Sequence, residues 1–149
     1  MSVSLGRVKG CIPVMAWRMN LLLIVTDEVI CHYIPKFKAK ELLMPAGFSD
    51  IAISRRLVKL CDMEPEKLLE SIRDKEGKIK ISRCVKLSEI RKVEVKKGFM
   101  GLGGRLVIHT TKDKLSYSLI CGRGFGIKCD EAVKRAVALF KSVGVEVKG

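Results

Sequence analysis

Short alternating strands followed by one terminal helix occupy residues 86–144 and constrain the fold more than any other feature of the chain. Apolar and polar side chains alternate over 106–120, which is the period of half-buried strands. Over 132–143 apolar residues recur three and four positions apart, as on one face of a helix. This order is typical of an antiparallel α+β domain and differs from βαβ repeats. It predicts inward or sheet-packed side chains at Leu106, Ile108, Leu115, Tyr117, Leu119, Val133, Val137 and Phe140.

Three apolar segments near the N-terminus, at 7–16, 21–25 and 29–34, predict an antiparallel meander. Pro13 lies within the first segment and predicts a sheet edge or a bulge there, because proline cannot donate a ladder hydrogen bond. With 149 residues and 48% hydrophobic residues, the chain has the size and composition of one folded domain with a substantial core.

Between the two sets of strands, residues 36–77 change to helical periodicity. Ser49 or Asp50 is a suitable N-cap for a helix that runs to about Cys61. Pro65 stands in the first turn of a second helix, where its missing N–H costs nothing. We therefore expect a helical hairpin inserted into a single domain.

The remaining elements follow from local signals. Strands are predicted at 78–82 and 84–87, before a further strand at 90–96. Asp130 is predicted to cap the last helix, and the residues after Gly144 are predicted to form a short tail.

Three sequence blocks resemble the PH-like superfamily in its prokaryotic PH and GRAM-type members. They are LLLIVTDEVI at 21–30, VKLSEIRKV at 85–93 and RLVIHT at 105–110. The resemblance implies an α+β fold: an antiparallel, β-rich half-barrel closed by a C-terminal helix. It also implies binding to lipid headgroups, peptides or sister subunits, without catalysis. The helical segment at 36–77 departs from the compact family pattern.

Six cysteines show neither CxxC spacing nor a cysteine–histidine spacing that would hold zinc. Most stand in apolar segments, where a free cysteine behaves as a small hydrophobic residue. We therefore expect free thiols, no bound metal and a reducing, cytoplasmic location. The first residues show no targeting pattern, and the most apolar stretch is too short to span a membrane.

The net charge of +13 favours anionic partners, although a lysine-rich solvated surface explains it equally well. A candidate basic patch surrounds the inserted segment and could follow a phosphate backbone. It comprises Lys36, Lys38, Arg55, Arg56 and Lys59.

The glycine-rich turn at 96–105 combines apolar residues with flanking cations, a combination that suits a lipid interface. Packing of the turn on the sheet or on a neighbouring subunit is the alternative. The candidate ligand contacts are Lys96, Lys97, Phe99, Met100, Leu102 and Arg105. The glycines of the segment GRGFG at 122–126 are best explained by a linker that needs positive φ angles.

Enzymatic chemistry finds little support in the sequence. His32 and His109 stand within predicted strands without a partner at ligand spacing, and no serine or cysteine has the setting of a nucleophile. We therefore expect no catalytic residues and no cofactor. Two functional hypotheses remain: a binding or scaffolding module at an anionic membrane or in a homo-oligomer, and a basic protein associated with nucleic acid.

Overall fold

The computed structural model describes residues 6–16, 19–35, 48–73, 81–98, 103–122 and 124–148, with the side chains of 48–50 excepted. They form an α+β fold with eight strands and three helices. The strands are β1 (Val8–Ala16), β2 (Met19–Thr26), β3 (Val29–Tyr33), β4 (Ile81–Lys86), β5 (Ile90–Lys97), β6 (Gly104–Thr110), β7 (Lys114–Leu119) and β8 (Val147–Lys148). The helices are α1 (Phe48–Asp62), α2 (Pro65–Ile72) and α3 (Cys129–Ser142).

All eight strands belong to one open sheet in the order β4-β3-β2-β1-β7-β6-β5-β8. The pairs are antiparallel except for β5 with β8, which is parallel. Two predictions are wrong here. The C-terminal tail adds strand β8 to the sheet, because Val147 and Lys148 pair with Val93 and Glu94. One strand, β4, stands where two were expected, although residues 78–80 lie outside the described residues.

The connection from β4 to β5 shows that the sheet curls strongly. These strands hold the first and seventh positions of the sheet, which would be about 29 Å apart in a flat sheet with about 4.8 Å between strands. Only the 3-10 turn Leu87–Glu89 joins them, and the chain from Lys86 to Ile90 spans at most about 14 Å. The two ends of the sheet therefore curl toward each other.

Side-chain contacts across the curl agree with this geometry. The hydroxyl of Tyr117 on β7 lies 2.5 Å from Nε2 of His32 on β3, although β2 and β1 stand between these strands in the sheet. Arg83 on β4 lies 3.5 Å from Asp113 in the turn before β7. The curl thus brings opposite halves of the sheet into contact.

The predicted core alternation is confirmed in β6, β7 and α3. Leu106, Ile108, Tyr117 and Leu119 are buried, and Leu115 is partly buried. Phe140 is fully buried under α3, with Val133 and Val137 partly buried against the same core. Strand β2 is covered on both faces, since Leu22, Leu23, Ile24 and Val25 are each 0% exposed.

Helices α1 and α2 follow β3 in the chain and contribute Ile53, Leu57, Val58, Leu68 and Ile72 to the core. The start of α2 has Pro65 in its first turn, as the sequence predicts. The prediction for α3 is wrong by two residues: its N-cap is Lys128, so Asp130 lies inside the first turn. Its carboxylate is favourable there because it faces the positive end of the helix dipole.

All six cysteines form disulfide bonds, so the prediction of free thiols is wrong. Cys11 on β1 pairs with Cys61 on α1, Cys31 on β3 with Cys84 on β4, and Cys121 with Cys129 at the start of α3. Their Cα–Cα separations are 5.2, 4.1 and 4.9 Å. Sequence spacing gave no sign of these pairs, because two of them join residues 50 and 53 positions apart.

The disulfides also remove the argument for a reducing compartment. Such bonds persist in oxidising compartments and in intracellular proteins of hyperthermophiles. Within the described part of the chain, no helix is long and apolar enough to cross a bilayer.

Candidate functional site

Strands β5, β6, β7 and β8 present a cationic outer surface. Successive side chains of a strand point to opposite faces, and Val93, Val95, Leu106, Ile108, Tyr117 and Leu119 occupy the core side. The residues between them therefore point outward, and the strand register aligns them across the sheet. We name this surface the cationic face; its basic residues are Lys92, Lys96, Arg105, Lys114 and Lys148.

One row of the cationic face crosses four strands. The register pairs Lys96 with Arg105, Arg105 with Ser118, and Ser118 with Met15. Met15 is 37% exposed. The row therefore starts at two cations, Lys96 and Arg105, continues with the hydroxyl of Ser118 and ends at the exposed apolar side chain of Met15.

A second row of outward-pointing side chains contains the acidic residue Glu94 of β5. Its Oε1 lies 3.4 Å from Lys92 Nζ and 3.4 Å from His109 Nε2. Desolvation acts to raise the pKa of Glu94, but Lys92, His109 and Lys96 outweigh it and hold that pKa below the ordinary value. Glu94 is thus ionised and partly neutralised by Lys92.

Four cations of the cationic face are left without an acidic partner. Among the described residues, Lys96, Arg105, Lys114 and Lys148 form no ion pair, and all four are exposed. Exposed lysine and arginine side chains of this kind are available to anionic groups from outside the protein.

The structure separates two adjacent candidate residues, Lys96 and Lys97. Lys96 points outward, whereas Lys97 reaches the helix side and lies 2.7 Å from Asp130 in the first turn of α3. The hydrogen bond and charge of Lys97 lower the pKa of Asp130. Lys97 therefore connects β5 to α3, while Lys96 and Arg105 stand side by side on the cationic face. The other candidates of this turn, Phe99, Met100 and Leu102, lie outside the described residues.

The candidate basic patch does not form one surface among the residues that are described. Arg55 donates a hydrogen bond to the carbonyl of Gly124 and so joins α1 to the loop before α3. Arg56 lies close enough to Tyr33 to influence the pKa of its phenol, and Lys59 is exposed in the last turn of α1. Lys36 and Lys38 lie outside the described residues.

The loop that Arg55 contacts has the backbone that its glycines predict. Gly122, Gly124 and Gly126 have φ angles of 109°, 91° and 81°. Side chains larger than hydrogen are strained in this region. The prediction of a linker with positive φ angles is confirmed.

His32 and Tyr117 form the other polar contact of interest, in the interior of the curl. Burial raises the pKa of Tyr117 to about 12, although Arg83 acts in the opposite direction. Burial, and then the charge of Arg83, lower the pKa of His32. The phenol and the imidazole are therefore both neutral at pH 7 and share one hydrogen bond.

We expect Tyr117 to ionise only near pH 12, because burial disfavours the phenolate. Its proton is held more tightly in the folded than in the unfolded chain, so its contribution to stability persists below pH 10 and is lost as the pH rises toward 12. Phenolate absorbance during an alkaline titration measures this ionisation. The variant Tyr117→Phe should lose the absorbance change near pH 12 and keep the absorbance change of Tyr33. If both tyrosines of the parent protein ionised together near the ordinary pKa of 10.0, the assignment would be contradicted.

The described side chains include no group of three or more histidine, cysteine or acidic residues placed to hold a metal ion. No protein-family model matches the chain, and comparison with curated proteins gives no match. Sequence reasoning placed Lys96 and Arg105 in a turn and did not consider Lys92, Lys114 or Lys148 as site residues. Strand alternation was the available signal, but the neighbouring strands could be aligned only once the sheet order was known.

Proposed function

We propose that this protein is a non-catalytic binding module of PH/GRAM-like type that docks on an anionic membrane surface through the cationic face. The observation that carries the proposal is the row of Lys96, Arg105 and Ser118 that ends at the exposed Met15. Cations attract acidic headgroups, and an apolar side chain beside them can enter the interfacial region. The proposed location is peripheral to the membrane.

A PH-like half-barrel with an inserted helical hairpin is part of the same proposal. Three observations support it: the sheet order β4-β3-β2-β1-β7-β6-β5, the curl that returns β4 toward β5, and α3 packed on the core after the last long strand. Helices α1 and α2 stand between β3 and β4 in the chain, where the hairpin was predicted.

A nucleic-acid surface is the second candidate, because phosphates would also bind the cationic face. Proteins that bind single strands usually stack bases on exposed aromatic rings. Within the described residues, the aromatic side chains of Tyr33, Tyr117, Phe125 and Phe140 are buried or partly buried, which favours the membrane. Assembly into a homo-oligomer is a third outcome that sedimentation would detect.

The charge-reversal variant Lys96→Glu with Arg105→Glu tests the membrane proposal. Each lysine or arginine near an acidic membrane contributes about 1 kcal/mol, so loss of two attractions should weaken vesicle binding at least about thirtyfold. Co-sedimentation with vesicles of phosphatidylserine and phosphatidylcholine measures the affinity. Vesicles of phosphatidylcholine alone should not bind, and added salt should reduce binding to the acidic vesicles.

Lys128→Glu with Lys134→Glu is the matched control, since it makes the same change in net charge at exposed positions on and beside α3. We expect it to lose much less affinity than the variant of the cationic face. Equal losses would show that only net charge matters and would contradict the proposed orientation. Binding to oligonucleotides but not to acidic vesicles would favour the second candidate.

A further inference from the structure

A groove lies between α1, α3 and strand β1, and none of the residues of the cationic face lines it. Its volume is about 490 Å³, within the range of small-molecule sites. Its lining is mainly apolar and combines the buried Ile12, Val58, Ile120 and Ala136 with the more accessible Ala138 and Leu139. The groove is partly open to solvent and therefore offers an apolar surface to a ligand.

The sheet itself creates this groove. Strand β1 pairs with β2 along most of its length, but its ladder with β7 includes only Val14 and Met15. Residues 9–13 line the groove beyond the point where that ladder ends. Pro13 stands at this point. The prediction of a sheet edge or a bulge there is wrong, because β1 lies between β2 and β7 and Pro13 pairs in register with Leu22. The missing N–H of Pro13 is tolerated where the ladder with β7 ends.

The mouth of the groove carries charge. Asp62 of α1 and Arg135 of α3 form an ion pair there, and Arg135 also lies 2.8 Å from Glu131. Arg135 is therefore already balanced by two carboxylates. Lys9, also at the mouth, is exposed and has no ion-pair partner among the described residues. It leaves one uncompensated positive charge at the mouth.

We propose that this groove binds a long-chain alkyl carboxylate, such as a fatty acid, with the alkyl chain along the apolar wall and the carboxylate at Lys9. The volume accommodates a flexible chain, and the single free cation matches a single negative charge. A phosphate ester would bring more charge than one lysine can balance. The cationic face is not involved, so this site and the membrane proposal can fail independently.

Calorimetric titration with laurate, below its micelle concentration and without vesicles, tests the proposal. We expect saturable binding of one laurate per chain at concentrations up to about 1 mM. Decanoate and octanoate should bind more weakly, by up to about fourfold for each methylene removed, because each buried methylene contributes about 0.8 kcal/mol. Dodecanol should bind two- to fivefold more weakly than laurate, the range of about 0.5–1 kcal/mol for an exposed ion pair.

Two variants locate the ligand. Ala136→Leu places a larger side chain in the groove and should reduce laurate affinity at least about tenfold. Lys9→Gln changes an exposed residue, so folding is preserved, and it should lower affinity by about two- to fivefold. Lys67→Gln on α2 is the control and should have no effect.

Absence of laurate binding would overturn the proposal, as would an unchanged affinity in a folded Ala136→Leu protein. Equal affinities for laurate, dodecanol and dodecyltrimethylammonium would overturn the assignment of a carboxylate. If Ala136→Leu fails to fold, the laurate affinities of Lys9→Gln and Lys67→Gln alone test where the ligand binds.

Discussion

Replacing Cys31 and Cys84 with alanine should lower the free energy of unfolding by about 4 kcal/mol. The bond closes a loop with a sequence separation of 53 residues, and a constraint of that length removes about 4 kcal/mol of chain entropy from the unfolded state. It also holds the edge strand β4, most of whose side chains are exposed, against the buried strand β3. Urea unfolding of the oxidised protein and of the variant measures the difference.

The pair Cys121→Ala with Cys129→Ala is the internal control. Its loop has a sequence separation of only eight residues, so the same reasoning gives a smaller loss of about 2.5 kcal/mol. Thiol titration of the unfolded, non-reduced parent should find no free thiol. Six reactive thiols, together with unchanged stability in both double variants, would show that the bonds do not form.

Phe140→Ala should lower the free energy of unfolding by about 3–5 kcal/mol, because it removes the largest fully buried side chain of the core and leaves a cavity. Phe140 lies on α3, which contacts β1, β5, β6, β7 and β8, so its ring fills space between the last helix and most of the curled sheet. Denaturant unfolding should show a lower midpoint with little change in slope.

The neighbouring Lys141→Ala is the matched control for Phe140→Ala. It lies on the same helix but is exposed, and it should change stability by only about 0.5 kcal/mol. A loss below about 1 kcal/mol for Phe140→Ala would mean that α3 is not packed on the sheet as described.

Local pattern predicted the strands and helices well where one face of an element is buried. The alternation in β7 and the apolar stripe of α3 arise because one face of each element is buried. Both elements could therefore be located from the sequence. The pairing of Val147 with Val93 could not be predicted from the sequence, since a two-residue strand has no periodicity of its own. The prediction of Asp130 as the N-cap of α3 is wrong because the helix starts at Cys129, where a disulfide fixes the chain.

Long-range geometry was beyond the reach of the sequence. Cys31 and Cys84 meet because β3 and β4 are neighbours in the sheet, and their apolar or strand settings fit a free thiol equally well. The same holds for the candidate site. Lys96 and Arg105 were identified as residues that flank a turn, but Lys114 and Lys148 joined them only through strand pairing.

Protection of individual lysines by acidic vesicles tests the proposed membrane orientation most directly. Brief acylation of the free and the vesicle-bound protein, followed by mass spectrometry, reports the accessibility of each lysine. We expect vesicles to protect Lys96, Lys114 and Lys148 on the cationic face, and to leave Lys67 and Lys134 on the helices as reactive as in the free protein. Protection of the helix lysines, with Lys96 and Lys114 still reactive, would contradict docking through the cationic face.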